Sequence, residues 1–129
     1  ARTTIGAFSV FASHSSPLAP SGHTHRWRPP TDVTETDTHL LVTVEIAGME
    51  DGEFHITLNG SQLAVSGLRE RHPAIRAYHQ MEISYGEFSV NVKLPALVNP
   101  EDVEADYSDG FLAVRLPKQR TDIPPAEID

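Results

Sequence analysis

Val103-Glu104-Ala105-Asp106-Tyr107-Ser108-Asp109-Gly110-Phe111-Leu112-Ala113-Val114-Arg115-Leu116-Pro117 reads as two strands joined by a two-residue turn. Asp109-Gly110 suits a type I′ hairpin, in which both central residues take positive φ, a conformation that Asp and Gly tolerate. That turn dictates a register. Ser108 faces Phe111, Tyr107 faces Leu112, Asp106 faces Ala113, Ala105 faces Val114, Glu104 faces Arg115 and Val103 faces Leu116. One face then carries Val103, Ala105, Tyr107, Leu112, Val114 and Leu116, all largely apolar. The other face sets Glu104 against Arg115, a cross-strand pair worth about 0.2–1 kcal/mol. A one-residue slip would turn the apolar set to water, so pattern and turn select the same pairing. Pro117 has no N–H for a ladder and ends the second strand.

Working outward, the same period-two pattern recurs through the middle of the chain. Arg28-Pro29-Pro30-Thr31-Asp32-Val33-Thr34-Glu35-Thr36 suits a short edge strand behind prolines. Leu40, Val42, Val44 and Ile46 alternate with Leu41, Thr43 and Glu45, and Ala47-Gly48-Met49 breaks the strand. Glu50-Asp51-Gly52 is an exposed acidic turn. Phe54, Ile56 and Leu58 form the next strand, Asn59-Gly60 is a second I′-type signal, and Leu63-Ala64-Val65-Ser66-Gly67 follows. Residues 68–79 lose the alternation and read as a long, charged, proline-interrupted loop with room for a short strand at Ile75-Arg76-Ala77-Tyr78-His79. Phe88, Val90, Val92 and Leu94 share the face of a further strand closed by Pro95, and Asn99-Pro100-Glu101-Asp102 is a polar turn into the hairpin. Eight or so short strands and no helical period predict an all-β, immunoglobulin-like β-sandwich.

Several of these elements, in this order, resemble the α-crystallin domain of small heat-shock proteins. Ala105, Gly110 and Leu112 fall on that family's A-x-x-x-x-G-x-L pattern, followed by Leu116-Pro117-Lys118. Glu82, Tyr85, Gly86 and Phe88 fall on its E-x-x-Y-G-x-F element, and the Ala47-Gly48 break and Leu63-x-Val65-x-Gly67 are similar too. The resemblance runs from Trp27 to Lys118, about 92 residues. It implies an arm (residues 1–26), a sandwich domain (27–118) and a short tail (119–129). It also implies that residues 75–79 pair in trans with a partner subunit's sheet to make a homodimer. A groove is implied between the Phe54–Leu58 and Val103–Tyr107 strands, with Ile56, Leu58, Val103 and Ala105 as its lining; a core role is the alternative for each. Two departures bear on assembly. Val90 stands where relatives usually carry Arg, so that arginine's contacts do not transfer. The tail offers Ile123-Pro124-Pro125 with Ile128 spaced too far, so one knob of the family's Ile-x-Ile/Val anchor is missing, which points to a dimer or small oligomer.

Composition narrows the chemistry. The chain has 129 residues and no cysteine, which suits one domain in the cytosol and removes disulfides, thiolate metal sites and a Cys nucleophile. No apolar run approaches the ~18–20 residues that cross a bilayer. A net charge of −8 argues against generic nucleic-acid binding. The charge is lopsided: residues 1–26 hold Arg2 and Arg26 and no acid, while the rest sets eight basic against 18 acidic groups, a net −10. Ser-rich and acid-free, the start has some transit-peptide character, but two arginines are few and no secretory apolar segment is present. Composition alone makes this arm disordered. The resemblance makes it a client-capture arm, with Phe8, Val10, Phe11 and Leu18 as its contacts. Of seven histidines, His23 and His25 could give two ligands but no third lies nearby, so no metal is expected. There is no nucleophile elbow and no phosphate loop, so neither a cofactor nor catalysis is expected. The function implied is an ATP-independent holdase of the stress response that binds unfolding clients, with no nucleic-acid or membrane partner. The rival is a β-sandwich adaptor for one folded partner, as in p23-like domains.

Overall fold

Leu40, Val42, Val44 and Ile46 are all fully buried, as their alternation requires, and so are Leu112, Val114 and Leu116. The two sets meet because β4 (His39–Glu45) pairs antiparallel with β9 (Phe111–Pro117). The computed structural model describes residues 2–4, 10–12 and 26–119. Around the β4–β9 pair the first sheet takes the order β1 (Arg2–Thr4), β8 (Glu104–Ser108), β9, β4, β3 (Thr31–Glu35). The second sheet takes the order β2 (Val10–Ala12), β5 (Phe54–Asn59), β6 (Gln62–Arg69), β7 (Gly86–Lys93). The one helical turn among the described residues is a 3-10 turn at Pro100–Asp102, where the sequence placed a polar turn. Between the sheets, Ile56, Leu58, Leu63, Val65, Phe88 and Val90 close the core from the second side. The fold is the expected β-sandwich.

The hairpin has the register dictated by its turn, from Ser108 opposite Phe111 to Glu104 opposite Arg115. Asp109 and Gly110 have φ of 54° and 85°, the pair of positive values that a I′ turn demands. Two finer expectations need correction. Asn59 pairs with Gln62, so the central residues of the second hairpin are Gly60-Ser61, not Asn59-Gly60. Gly60 alone there has positive φ, 62°, which is the II′ arrangement with Gly first. The ion pair of Arg115 is also displaced. Its Nη1 lies 3.1 Å from Asp106 Oδ2, a diagonal neighbour, instead of engaging the directly opposed Glu104. Asp106 is the buried carboxylate, and a long guanidinium stem reaches a diagonal position easily.

Gly67 shows how tightly the second sheet packs. A Cβ there would lie 2.6 Å from Phe88 Cζ and 2.9 Å from the Glu53 carbonyl oxygen. Neither neighbour can yield cheaply, since one is a fully buried ring and the other is backbone. Gly67→Ala is expected to destabilise the chain by about 1–3 kcal/mol through overpacking. Urea denaturation checks this; an unchanged midpoint would mean that the β5–β6 hairpin opens to admit a methyl group.

Candidate binding surfaces

Exposed apolar side chains gather at the end of β6 and along the long connection from there to β7. Leu68, Ile75, Tyr78, Met81 and Ile83 are exposed, five of the eight large hydrophobics exposed among the described residues. Burying such side chains removes apolar area from water, so a cluster of them on one segment marks a protein-facing surface. Residues 75–79 form no strand within the single chain. Ala74 N–H donates to His72 Nδ1 and Ile75 N–H to the His72 carbonyl, a local turn that sets off the apolar residues beyond it. Charged groups share the segment, and the Arg71 guanidinium lies 5.4 Å from the Tyr78 ring centroid.

The base of this segment is held by Arg69. Its guanidinium lies 4.5 Å from the Trp27 ring centroid and 5.1 Å from that of Tyr85. Nη1 donates to the Ala47 carbonyl at 3.1 Å, Nε donates to the Ser84 carbonyl at 3.1 Å, and Nη2 donates to the same Ser84 oxygen. Planar and multiply donating, an arginine can stack and bridge at once where a lysine cannot. Trp27 is fixed in turn: its N–H donates to Glu87 O at 3.1 Å, its carbonyl accepts from Ser89 N–H at 3.0 Å, and its ring lies 5.8 Å from Phe88. Glu82, Tyr85, Gly86 and Phe88 therefore run from the exposed segment into the core, with Phe88 fully buried. Sequence reading placed Arg69 in a charged loop and gave it no role. The signal was weak, a single arginine at the end of a strand.

Ile56 and Leu58 of β5, Ala105 of β8 and Val103 just before it are all buried in the core cluster, the core role that the sequence left as the alternative for each. The outer edges of those two strands carry residues of the arm. β1 pairs antiparallel with β8, and β2 pairs in parallel with β5. Of the residues assigned to client capture, Val10 and Phe11 lie in β2, while Phe8 and Leu18, like the tail residue Ile123, lie outside the described residues. A hollow of about 660 Å³ beside the Gly48–Glu53 turn is lined by charges of both signs, among them Glu50, Glu53, Glu70, Arg26 and Arg71. Among the described residues no group of three or more His, Asp or Glu side chains is placed to hold a metal ion.

Two β-sheets packed face to face around one apolar core, with no α-helix among the described residues, define an all-β sandwich domain. The model of the Hsp20/alpha crystallin family matches residues 32–129. The chain belongs to that family, the small heat-shock proteins. It is 31% identical over 93 residues to small heat shock protein C4 of Rickettsia felis, a match covering 70% of this chain and 57% of that protein. It is 30% identical over 120 residues to heat shock protein 16 of Schizosaccharomyces pombe, covering 90% of this chain and 83% of that one. Among solved structures, HSP18.5 from E. histolytica superimposes with a TM-score of 0.64 at 25% identity, covering 79% of this chain and 99% of that one. The chain spans about three fifths of the length of several bacterial relatives, 57% of the Rickettsia protein and 60% of spore protein SP21 of Stigmatella aurantiaca.

Proposed function

We propose that this chain is an ATP-independent holdase that binds unfolding proteins through apolar surface and keeps them from aggregating. The observation that supports it most directly is the concentration of exposed apolar side chains between Leu68 and Ile83 on a rigid sandwich. A surface of this kind lowers the free concentration of aggregation-prone chains by mass action, with no chemical step. Part of it serves self-association: residues 75–79 add in trans to the β3 edge of a second copy, since β3 pairs on one side only. The rest, together with the arm residues Phe8, Val10, Phe11 and Leu18, contacts clients. The reading places the chain in the cytoplasm as a homodimer or small oligomer, with no cofactor.

Light scattering from a heat-aggregating client, without ATP, tests the holdase. Suppression near one chain per client chain is expected, and replacing Phe8, Val10 and Phe11 together by Ser should weaken it several-fold while the sandwich stays folded. Undiminished protection would sink the assignment to the arm. No suppression by the intact, folded chain, combined with a pull-down yielding one stoichiometric folded partner, would favour an adaptor.

A further inference from the structure

The connection from Glu70 to Tyr85 springs from the last pair of the β6–β7 ladder, Arg69 opposite Gly86. Past that pair no ladder bond joins its two ends, yet one side chain ties them together. Arg69, at the first end, donates through Nε and Nη2 to the Ser84 carbonyl and lies against the ring of Tyr85, both at the far end. The same guanidinium donates through Nη1 to the Ala47 carbonyl and lies over Trp27, which fastens this neck to the sandwich. Its stem passes Gly48, where an added Cβ would lie 3.7 Å from Arg69 Cδ. Beyond the neck stand Ile75, Tyr78, Met81 and Ile83, all exposed. Residues 71–79 carry Arg71 and Arg76 and no acid, in a chain of net charge −8. β3, outermost in its sheet among the described residues, exposes Asp32, Val33 and Glu35, the last joined to Lys118. Opposite charge and apolar contact therefore favour a second copy of this chain as the occupant of that edge.

We propose that Arg69 is a positioning residue for self-association: by closing the neck of the connection it fixes the direction in which residues 75–79 leave the sandwich, and so their reach to the β3 edge of a second copy. This role deepens, and rests on, the reading that residues 75–79 associate with such a copy. Closing a long loop slightly sooner changes its entropy little, because the cost grows only with the logarithm of length. What the closure changes is orientation. An interface built on a mobile segment loses affinity to the ordering of that segment, and a root held in place beforehand removes part of that loss. Lysine cannot take over the role. An ammonium on a flexible stem has no planar fork to reach carbonyls on two sides while lying against two rings.

The test uses the full chain with Arg69→Ala, with Arg69→Lys and, in the Arg69→Ala background, with Glu70→Cys and Tyr85→Cys together. Continuing the ladder by one step sets residue 70 opposite residue 85. Directly opposed antiparallel residues stand about 4.5–5.5 Å apart between Cα atoms, within the range a disulfide accepts. No native cysteine interferes. Sedimentation over a dilution series reads the dimer dissociation constant, and hydrogen exchange reads local opening. Both Arg69 single variants should raise the dissociation constant about tenfold and speed exchange across residues 70–85, while β4 and β9 exchange at parent rates. Oxidising the cysteine variant should bring the constant back to within about threefold of the parent, and reductant should undo this. Faster exchange through β4 and β9 would reduce Arg69 to a merely structural residue and overturn the proposal. So would a lysine variant that dimerises like the parent, thiols that fail to link, or a linked neck that restores nothing. A parent dimer left unchanged by both single variants overturns the positioning role alone. A parent chain that stays monomeric at every concentration overturns the self-association reading, and the positioning role with it.

Discussion

Truncating Phe88 to alanine is expected to cost about 3–5 kcal/mol, the range for deleting a buried aromatic ring and leaving its cavity. Phe88 is fully buried, with the Phe54 centroid 6.1 Å away edge-on and Trp27 at 5.8 Å. The space it fills cannot collapse cheaply. On one side lies Gly67, which has no side chain to extend into the void, and Phe54 is itself held 5.5 Å from Tyr107. Domains are stable by only about 5–15 kcal/mol, so this one change would remove a large part of the total. Two measurements check it. Chemical denaturation gives the loss directly, and Trp27, the chain's one tryptophan, should show a red-shifted emission in the folded baseline as its packing partner disappears. A loss below about 1 kcal/mol would mean that Trp27 moves inward and fills the site.

Phe88 was legible from the sequence because it belongs to two patterns at once, the period-two run through Leu94 and the Glu82–Phe88 motif. The same holds for the 103–117 hairpin, where turn chemistry and alternation fix one register independently. Legibility ended where an interaction depends on three-dimensional reach. Arg115 meets Asp106 on a diagonal that strand-by-strand pairing does not rank, and Arg69 gathers Trp27, Ala47 and the Ser84-Tyr85 pair from three separate stretches. The Gly60 turn shifted by one residue because Asn-Gly and Gly-Ser are both acceptable hairpin centres, and only the strand pairing chooses between them. The arm strands were hidden for a different reason. Three-residue strands are too short to show a period, and the Phe8, Val10 spacing was read as an apolar cluster. Yet those strands pair with β8 and β5, which carry Ala105, Ile56 and Leu58, so stretches that the sequence treated separately are neighbours in the sheets.

β8 is anchored from within by Tyr107, and removing its hydroxyl should have the second large effect. The hydroxyl donates to the Ile46 carbonyl at 2.7 Å and accepts from the Met49 N–H at 3.2 Å, tying β8 to the strand break after β4. Tyr107→Phe keeps the ring but leaves a buried carbonyl and a buried N–H without their partner. At about 1–3 kcal/mol for each stranded group, a loss of about 2–4 kcal/mol is expected at neutral pH. The loss also has a pH signature. Burial raises the phenol's pKa above its ordinary 10.0; the Met49 N–H opposes that rise, Glu50 adds to it and Arg69 opposes it. Below pH 10 both folded and unfolded chains keep this proton, and the contribution is fully present. Above it the unfolded chain ionises first, so the stability held by the neutral hydroxyl falls as pH climbs towards the folded value. Phenylalanine has nothing to ionise. The gap between parent and Tyr107→Phe should therefore be constant from pH 7 to 9 and narrow beyond 10, as read by urea denaturation at each pH. A gap that stays constant or widens in alkali would show that the ionised phenolate is tolerated inside the fold. A gap below about 0.5 kcal/mol at pH 7 would mean that water reaches Ile46 and Met49, and that β8 is held chiefly by its apolar neighbours.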